Sequence, residues 1–518
     1  MADQQAEAVK KGYVFAGPAL ELGALVVDGK SDPSVPVRIP LSMMNRHGLV
    51  AGATGTGKTK TLQGLAEQLS AAGVPVFLAD IKGDLSGMAA PGAPTDKVTA
   101  RAAEIGLDWQ PTSYPVEFLA LGGRGTGVPV RATITSFGPT LLAKVLDLND
   151  VQESSLGLVF HFADSNGLPL LDLKDLRAVI HYLVSDAGEA ALADLGGLSK
   201  ATAGVILREL IAFADAGADD FFGEPEFDTR DFLRTAPDGR GVVNVLELPN
   251  LQDKPALFST FLMWFVADLF QDLPEVGDLD KPKLVFFLDE AHLLFRDASK
   301  DFLAAITQTV RLIRSKGVGV FFVTQTPKDV PGDVLAQLGN RIQHALRAYT
   351  PEDAKALKAT VSTFPTSEYD LAEVLTQLGI GEAVITVLSE RGAPTPVAWT
   401  KLPPPRSLMA PVDPATAAAI VKASTLLPAY GQPVDRESAY ERLAAKVASP
   451  APGSTPPAPG SAAPVPPASE HAPARREKGL AEKVLGSSAV RGMVRAAATA
   501  AGREIMRSIF GTARRRRR

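Results

Sequence analysis

Residues Gly52 to Thr59 read Gly-Ala-Thr-Gly-Thr-Gly-Lys-Thr, which completes the pattern G-x-x-x-x-G-K-[ST]. The apolar run Leu49-Val50-Ala51 precedes it, and Leu62, Leu65, Ala66 and Leu69 follow at helical spacing. A strand, a glycine loop and a helix in that order constrain the fold, because the loop can only work where a parallel sheet meets a helix N-terminus. Backbone N–H groups of Gly52, Ala53, Thr54, Gly55, Thr56 and Gly57 would curl around a phosphate. Lys58 would reach the β- and γ-phosphates, and the Thr59 hydroxyl would ligate Mg²⁺. The expectation is a chain that binds ATP with Mg²⁺.

Other apolar runs alternate with helical patterns. Val74 to Ala79 leads to Asp80, Gly241 to Leu248 forms another run, and Lys283 to Leu288 leads to Asp289. Gly319 to Thr326 is the next. Wholly apolar strands separated by helices indicate an α/β fold with a mainly parallel sheet covered on both faces. Ahead of the loop, residues 14–46 suggest a small β element, with strands at Ala24–Val27 and Val35–Ile39 around Asp28-Gly29-Lys30. Residues 114–135 suggest a hairpin closed by the glycine cluster at 122–127. Residues 138–235 carry Leu, Val and Phe at three-to-four spacing, the pattern of an inserted helical subdomain. The expected units are therefore a β element over 1–46, a core over 47–402 and a helical extension over 403–448.

Residues 449–474 are mostly Pro, Ala, Gly and Ser, a composition suited to an extended, solvated linker. Residues 475–518 hold thirteen Lys/Arg and three Glu, a local net of +10 in a chain whose total is −5. Apolar residues recur among those charges at roughly helical spacing, so this basic tail could lie on a membrane surface or grip another polyanion. The chain has no cysteine, which excludes disulfides and cysteine-ligated metals. Its six histidines are scattered, without zinc-ligand spacing. The polar start is unlike a signal peptide, and the apolar stretch Ala256–Phe270 is too short to span a bilayer. A cytoplasmic protein without an integral membrane segment is expected.

The second chemical pattern is Leu284-Val-Phe-Phe-Leu-Asp289-Glu290. An apolar strand ending in paired acids places both at the carboxyl edge of the sheet. Asp289 would hold Mg²⁺, and Glu290 would serve as the base for an attacking water. Gln325, at the end of the next apolar run, could touch the γ-phosphate or that water. Asp80-Ile-Lys-Gly-Asp84, at the end of another apolar run, reads as a plain strand-to-loop turn or, through its resemblance to an Asp-x-x-Gly-[Asp/Glu] segment of the family named below, as a contact to Mg²⁺ or to a polymer.

Together with Arg311-Leu-Ile-Arg314-Ser-Lys-Gly317 and Val323-Thr-Gln325-Thr-Pro327, these segments resemble the HerA/FtsK superfamily of P-loop ATPases. The closer resemblance, over about residues 15–400, is to HerA-like bacterial helicase and translocase proteins. It implies a RecA-like core, a homo-oligomeric ring (a hexamer), and double-stranded DNA as the polymer. It also implies that Arg314 completes a neighbouring subunit's site, and Arg347 is a looser match to a further basic position. Two departures stand out. The larger N-terminal β-barrel of relatives that repair DNA ends is not visible in the residues before the loop, and neither is the membrane-spanning N-terminus of chromosome-segregating relatives. The alternative is a nucleotide-gated assembly or scaffold ATPase that acts on protein or membrane.

Overall fold

In the computed structural model the described residues are 2–195, 197–248, 255–296 and 300–448, so the expected linker and basic tail lie outside them. The strands are β1 (Ala19–Val27), β2 (Lys30–Pro40), β3 (Gly48–Ala51), β4 (Val76–Asp80), β5 (Val116–Leu121) and β6 (Val128–Val130). They continue as β7 (Val243–Glu247), β8 (Leu284–Leu288), β9 (Val318–Thr324), β10 (Asn340–Gln343), β11 (Glu382–Thr386) and β12 (Ala398–Lys401). All join one sheet in the order β2-β1-β12-β11-β10-β3-β9-β8-β4-β7-β5-β6. From β10 to β6 every neighbouring pair is parallel, and from β10 to β2 every pair is antiparallel.

The period-two geometry of strands divides the apolar runs between two cores. Phe77, Leu284, Phe286, Val320 and Phe322 face one side, where they meet the helix Pro255–Asp272 and the helical segment beyond residue 138. Val76, Leu78, Val285, Phe287, Phe321 and Val323 face the other side and pack against Leu62, Leu65 and Leu69 of the helix Lys58–Ala71. Burial on both faces is why these runs read as continuous apolar stretches. The N-terminal hairpin β1–β2 extends the same sheet through β12, with Ala24 opposite Lys401.

One sequence expectation is corrected. Residues 114–135 do not form a hairpin: β5 and β6 run parallel, with Leu119 opposite Val128. Gly122, Gly123 and Gly125 all take positive φ, so the short loop doubles back before the chain enters β6. A Cβ at Gly122 would lie 2.1 Å from the Asp220 carbonyl oxygen. A glycine cluster between two β-prone runs signals a reversal but leaves open whether the second strand is antiparallel or re-entrant.

Helices Pro139–Val145, Asp150–Ser165, Leu173–Leu183 and Lys200–Asp215 build the segment inserted between β6 and β7. The helix Ala439–Ala448 returns onto Leu173–Leu183, where buried Asp175 accepts from the Ser438 hydroxyl and, at 3.0 Å, from the Tyr440 amide. The Tyr430 ring lies 4.7 Å from that of Phe227. Chain beyond residue 402 is thereby tied to the helical segment.

Phe77 is fully buried, with ring centroids of Phe232, Phe265 and Phe286 at 5.3, 4.8 and 5.3 Å. These contacts join β4, β8 and the helix Pro255–Asp272. Phe77→Ala should destabilise the fold by about 3–5 kcal/mol through the cavity it leaves. A clear drop in the thermal unfolding midpoint checks this, and an unchanged midpoint would refute it.

Candidate nucleotide-binding site

Strands β3, β9, β8 and β4 are adjacent and parallel, so their carboxyl ends emerge at one edge. Ala51 pairs with Thr324, Leu288 with Phe322, and Ala79 with Leu288. That register brings the Gly52–Thr59 loop, Gln325, the Asp289–Glu290 pair and Asp80 to the same edge. The acid pair follows a strand separated from the loop's own strand only by β9.

The loop is held by its neighbours' backbones. Gly52 N donates to Thr324 O at 3.2 Å, Ala53 N to Ala345 O at 2.8 Å, Thr56 N to Ala53 O at 3.4 Å, and Gly381 N to Thr56 O at 3.0 Å, so the amides of Gly52, Ala53 and Thr56, expected to face a phosphate, are instead spent on holding the loop. Gly52, Gly55 and Gly57 take φ values of 155°, 79° and 108°. A Cβ at Gly52 would sit 2.4 Å from the His344 Cβ, so only glycine lets the chain pass there. Gly57 caps the helix Lys58–Ala71 and aims its free N–H groups into the loop. Lys58 is buried, and its Nζ donates to Gly52 O at 2.6 Å and Ala53 O at 3.1 Å. Burial lowers its pKa, opposed by the charge of Glu290. Thr59 is half-buried on the first turn of the helix.

Asp289 is buried. Its Oδ1 accepts from the Glu290 amide at 2.9 Å, while Oδ2 is buried without a hydrogen-bond partner. Burial pushes its pKa up to about 6, against the lowering effect of Lys82. Glu290 adopts φ 48°, a left-handed conformation that a residue with a Cβ occupies only when its surroundings impose it. The Glu290 carboxylate pairs with Lys82 through Oε1, and its Oε2 lies 3.2 Å from His292 Nδ1. Asp80, fully buried, accepts from Gly83 N at 2.7 Å and Leu85 N at 2.8 Å. Of the readings open for Asp80-Ile-Lys-Gly-Asp84, its carboxylate thus serves as the anchor of a strand-to-loop turn.

The remaining candidates are exposed. Gln325 is exposed at the end of β9, and Arg347 is exposed beyond β10. Arg314 is exposed just ahead of β9, at the opposite edge of the sheet, and makes no salt bridge among the described residues. The seven residues of β9 set roughly 20 Å between that edge and the loop. The structure therefore brings Lys58, Thr59, Asp289, Glu290 and Gln325 to one edge and leaves Arg314 away from it.

Two residues the sequence did not single out belong to this region. Lys82 contacts Glu290, and His344 braces the loop: its ring lies 2.9 Å from Thr61 Oγ1 and 3.1 Å from Thr56 O, and its amide donates to Ala51 O at 2.7 Å. These partners are remote in sequence, so no local pattern announces them.

The residues fit a magnesium-bound triphosphate. Gly55, at the turn of the loop, has nothing within 4 Å of where a Cβ would stand, a helix N-terminus follows the loop, and one buried oxygen of Asp289 is unpartnered. No group of three His, Cys, Asp or Glu that could hold a metal by itself occurs among the described residues. Mg²⁺ needs none, because it takes few carboxylates and keeps water and phosphate ligands.

A glycine-cradled loop at the end of a parallel strand, with an acid pair one strand removed, defines the RecA-like P-loop class. A family model described as Helicase HerA-like C-terminal matches residues 26–518, and the chain belongs to that family. It is 22% identical over 375 residues to the DNA double-strand break repair helicase HerA of Sulfolobus acidocaldarius, covering 72% of this chain and 67% of that one. It is 30% identical over 150 residues to "Probable helicase MJECL08" of Methanocaldococcus jannaschii, a match spanning 28% of each chain. The fold is similar to the bacterial conjugative coupling protein TrwBdeltaN70, with a TM-score of 0.50, 16% identity and coverage of 78% of this chain and 93% of that one. The plasmid coupling protein TrwB in complex with ADP and Mg²⁺ gives a TM-score of 0.50, 17% identity and coverage of 78% and 99%.

The brace has a pH signature. Burial pushes the His344 pKa down to about 3 and that of His47 down to about 4, from an ordinary 6.5. Both are therefore neutral when folded, whereas the unfolded chain takes up protons below about pH 6.5. Their contribution is fully present above that pH and is lost as pH falls from 6.5 toward 3 to 4. Asp289, raised from 3.8 to about 6, acts with the opposite sign between those values and offsets part of the loss. His344→Gln should shrink the fall in melting temperature between about pH 7.5 and about pH 5. An identical fall in wild type and variant would count against the assignment.

Proposed function

We propose that this chain is an ATP-hydrolysing motor that assembles as a ring and moves double-stranded DNA through it. The observation that carries this reading is the convergence of the phosphate loop, Gln325 and the Asp289–Glu290 pair on one edge of the parallel sheet. Membership of the HerA-like family and the similarity to a helicase named for double-strand break repair support DNA as the polymer.

Lys58 has two loop carbonyls as partners and would exchange them for the β- and γ-phosphates, a stronger charge-assisted contact. Thr59 and Asp289 would hold Mg²⁺, which when bound neutralises charge on the phosphates. Glu290 would take the proton of the attacking water, and Gln325 would orient that water or the γ-phosphate. Arg314 projects from the far edge of the sheet, so its role would be in trans, completing the site of the next subunit. That division of the site between subunits supports a ring, of hexameric order in this reading. Contacts to duplex DNA would be with phosphates, independent of sequence and sensitive to salt.

Glu290→Gln should bind ATP but hydrolyse it about 100- to 10,000-fold more slowly, the usual contribution of a positioned base. Steady-state hydrolysis beside binding of a fluorescent ATP analogue checks this, and wild-type turnover would remove Glu290 from the role.

Arg314→Ala and Lys58→Ala should each be inactive alone. Mixed, they should recover part of the activity, because some interfaces then pair an intact arginine with an intact loop. Full activity of Arg314→Ala, or no recovery at any mixing ratio, would refute the shared site.

A further inference from the structure

The carboxylate assigned as base is already engaged. Glu290 Oε1 pairs with the Lys82 ammonium, while Oε2 lies 3.2 Å from His292 Nδ1 with no hydrogen bond between them. Lys82 arrives from β4, the strand beside β8, on the turn that buried Asp80 holds through Gly83 N and Leu85 N. Its backbone is therefore fixed, while its side chain keeps 41% of its surface in solvent and Glu290 keeps only 10%. The contact thus runs from a fixed turn, through a flexible four-carbon stem, to a nearly buried acid.

A general base needs a free lone pair and an unstabilised negative charge. The Lys82 ammonium holds Oε1 and balances the carboxylate's charge, so the pair fixes where Glu290 points and leaves Oε2 as its one unpartnered oxygen. Moving Lys82 off requires only rotation about its side-chain bonds, and a polyanion passing the exposed ammonium would compete for it. Lys58, by contrast, is buried within its own loop, so a polymer at the surface meets Lys82 first.

We propose that Lys82 is a positioning residue that restrains Glu290, and that the phosphate backbone of duplex DNA draws Lys82 away and so couples polymer engagement to ATP hydrolysis. This rests on the reading of Glu290 as base and of duplex DNA as the polymer.

The test compares steady-state hydrolysis by full-length wild type, Lys82→Gln and Lys82→Arg, each with and without long duplex DNA. Glu290→Gln is run beside them. Lys82→Gln should raise the DNA-free kcat about fivefold, the scale of a part-exposed ion pair, and leave the KM for ATP unchanged. Duplex DNA should then add little. Lys82→Arg, which keeps the charge, should restore both the low basal rate and the stimulation. A DNA-free rate for Lys82→Gln at or below wild type, with Glu290→Gln inactive, overturns the restraint while sparing the base. A raised rate that duplex DNA still multiplies as in wild type overturns the coupling. Failure of DNA to stimulate wild type would defeat the polymer reading and the coupling together, and the DNA-free rates would still decide the restraint. A fully active Glu290→Gln would defeat the base reading and the restraint with it.

Discussion

The packing of β3 between β9 and β10 sets the position of everything at the candidate site. Its four residues are too few to orient the following loop unaided, and the loop is instead fixed by hydrogen bonds to the ends of the flanking strands. Gly52 passes so close to His344 that a single methyl group would push the two strands apart. Gln343 Nε2 adds a bond to Ala51 O at 3.1 Å, so the turn from strand to loop is tied on the β10 side by side chain as well as backbone. A rigid mount of this kind lets backbone amides act as pre-aimed donors, at no reorganisation cost when a ligand enters.

Electrostatics at the same edge are unbalanced by design of the burial. Lys58, Asp289 and Glu290 are all buried, and Asp80 beside them is fully so. Charges withdrawn from water are stable only with partners. Lys58 finds carbonyls, Asp80 finds amides, and Glu290 finds Lys82 through one oxygen, which leaves Asp289 Oδ2 and Glu290 Oε2 without hydrogen-bond partners. A divalent cation would answer the unmet oxygen of Asp289 directly. The left-handed backbone at Glu290 is a second mark of tension in the same few residues. Tension of this kind survives because the apolar strands beneath, and the aromatic cluster around Phe77, hold the turn in place.

The two edges of the sheet divide the candidate chemistry. The phosphate loop and acid pair lie at the carboxyl edge, and Arg314 lies at the amino edge about one strand length away. No motion short of unfolding β9 would bring them together within one chain. The proposed ring would use both by setting one molecule's amino edge against the next molecule's carboxyl edge, a head-to-tail contact that closes only where its rotation does.

Local pattern alone carried the phosphate loop, the apolar strands and the helix behind the loop, because each is written in contiguous residues with a period of two or 3.6. The acid pair was legible for the same reason: an apolar run that ends in Asp289-Glu290 can end only at a strand edge. Tertiary structure decided what depends on distant residues meeting. It turned the expected hairpin at 114–135 into a parallel pair, joined the N-terminal hairpin to the core sheet, and brought Lys82 and His344 to the loop and the acids. His344 lies 283 residues from the Thr61 hydroxyl it touches, a separation no local pattern can encode. The direction of a strand after a glycine loop, and the partner of a buried charge, are set by which surfaces pack. That is a property of the whole chain folded together.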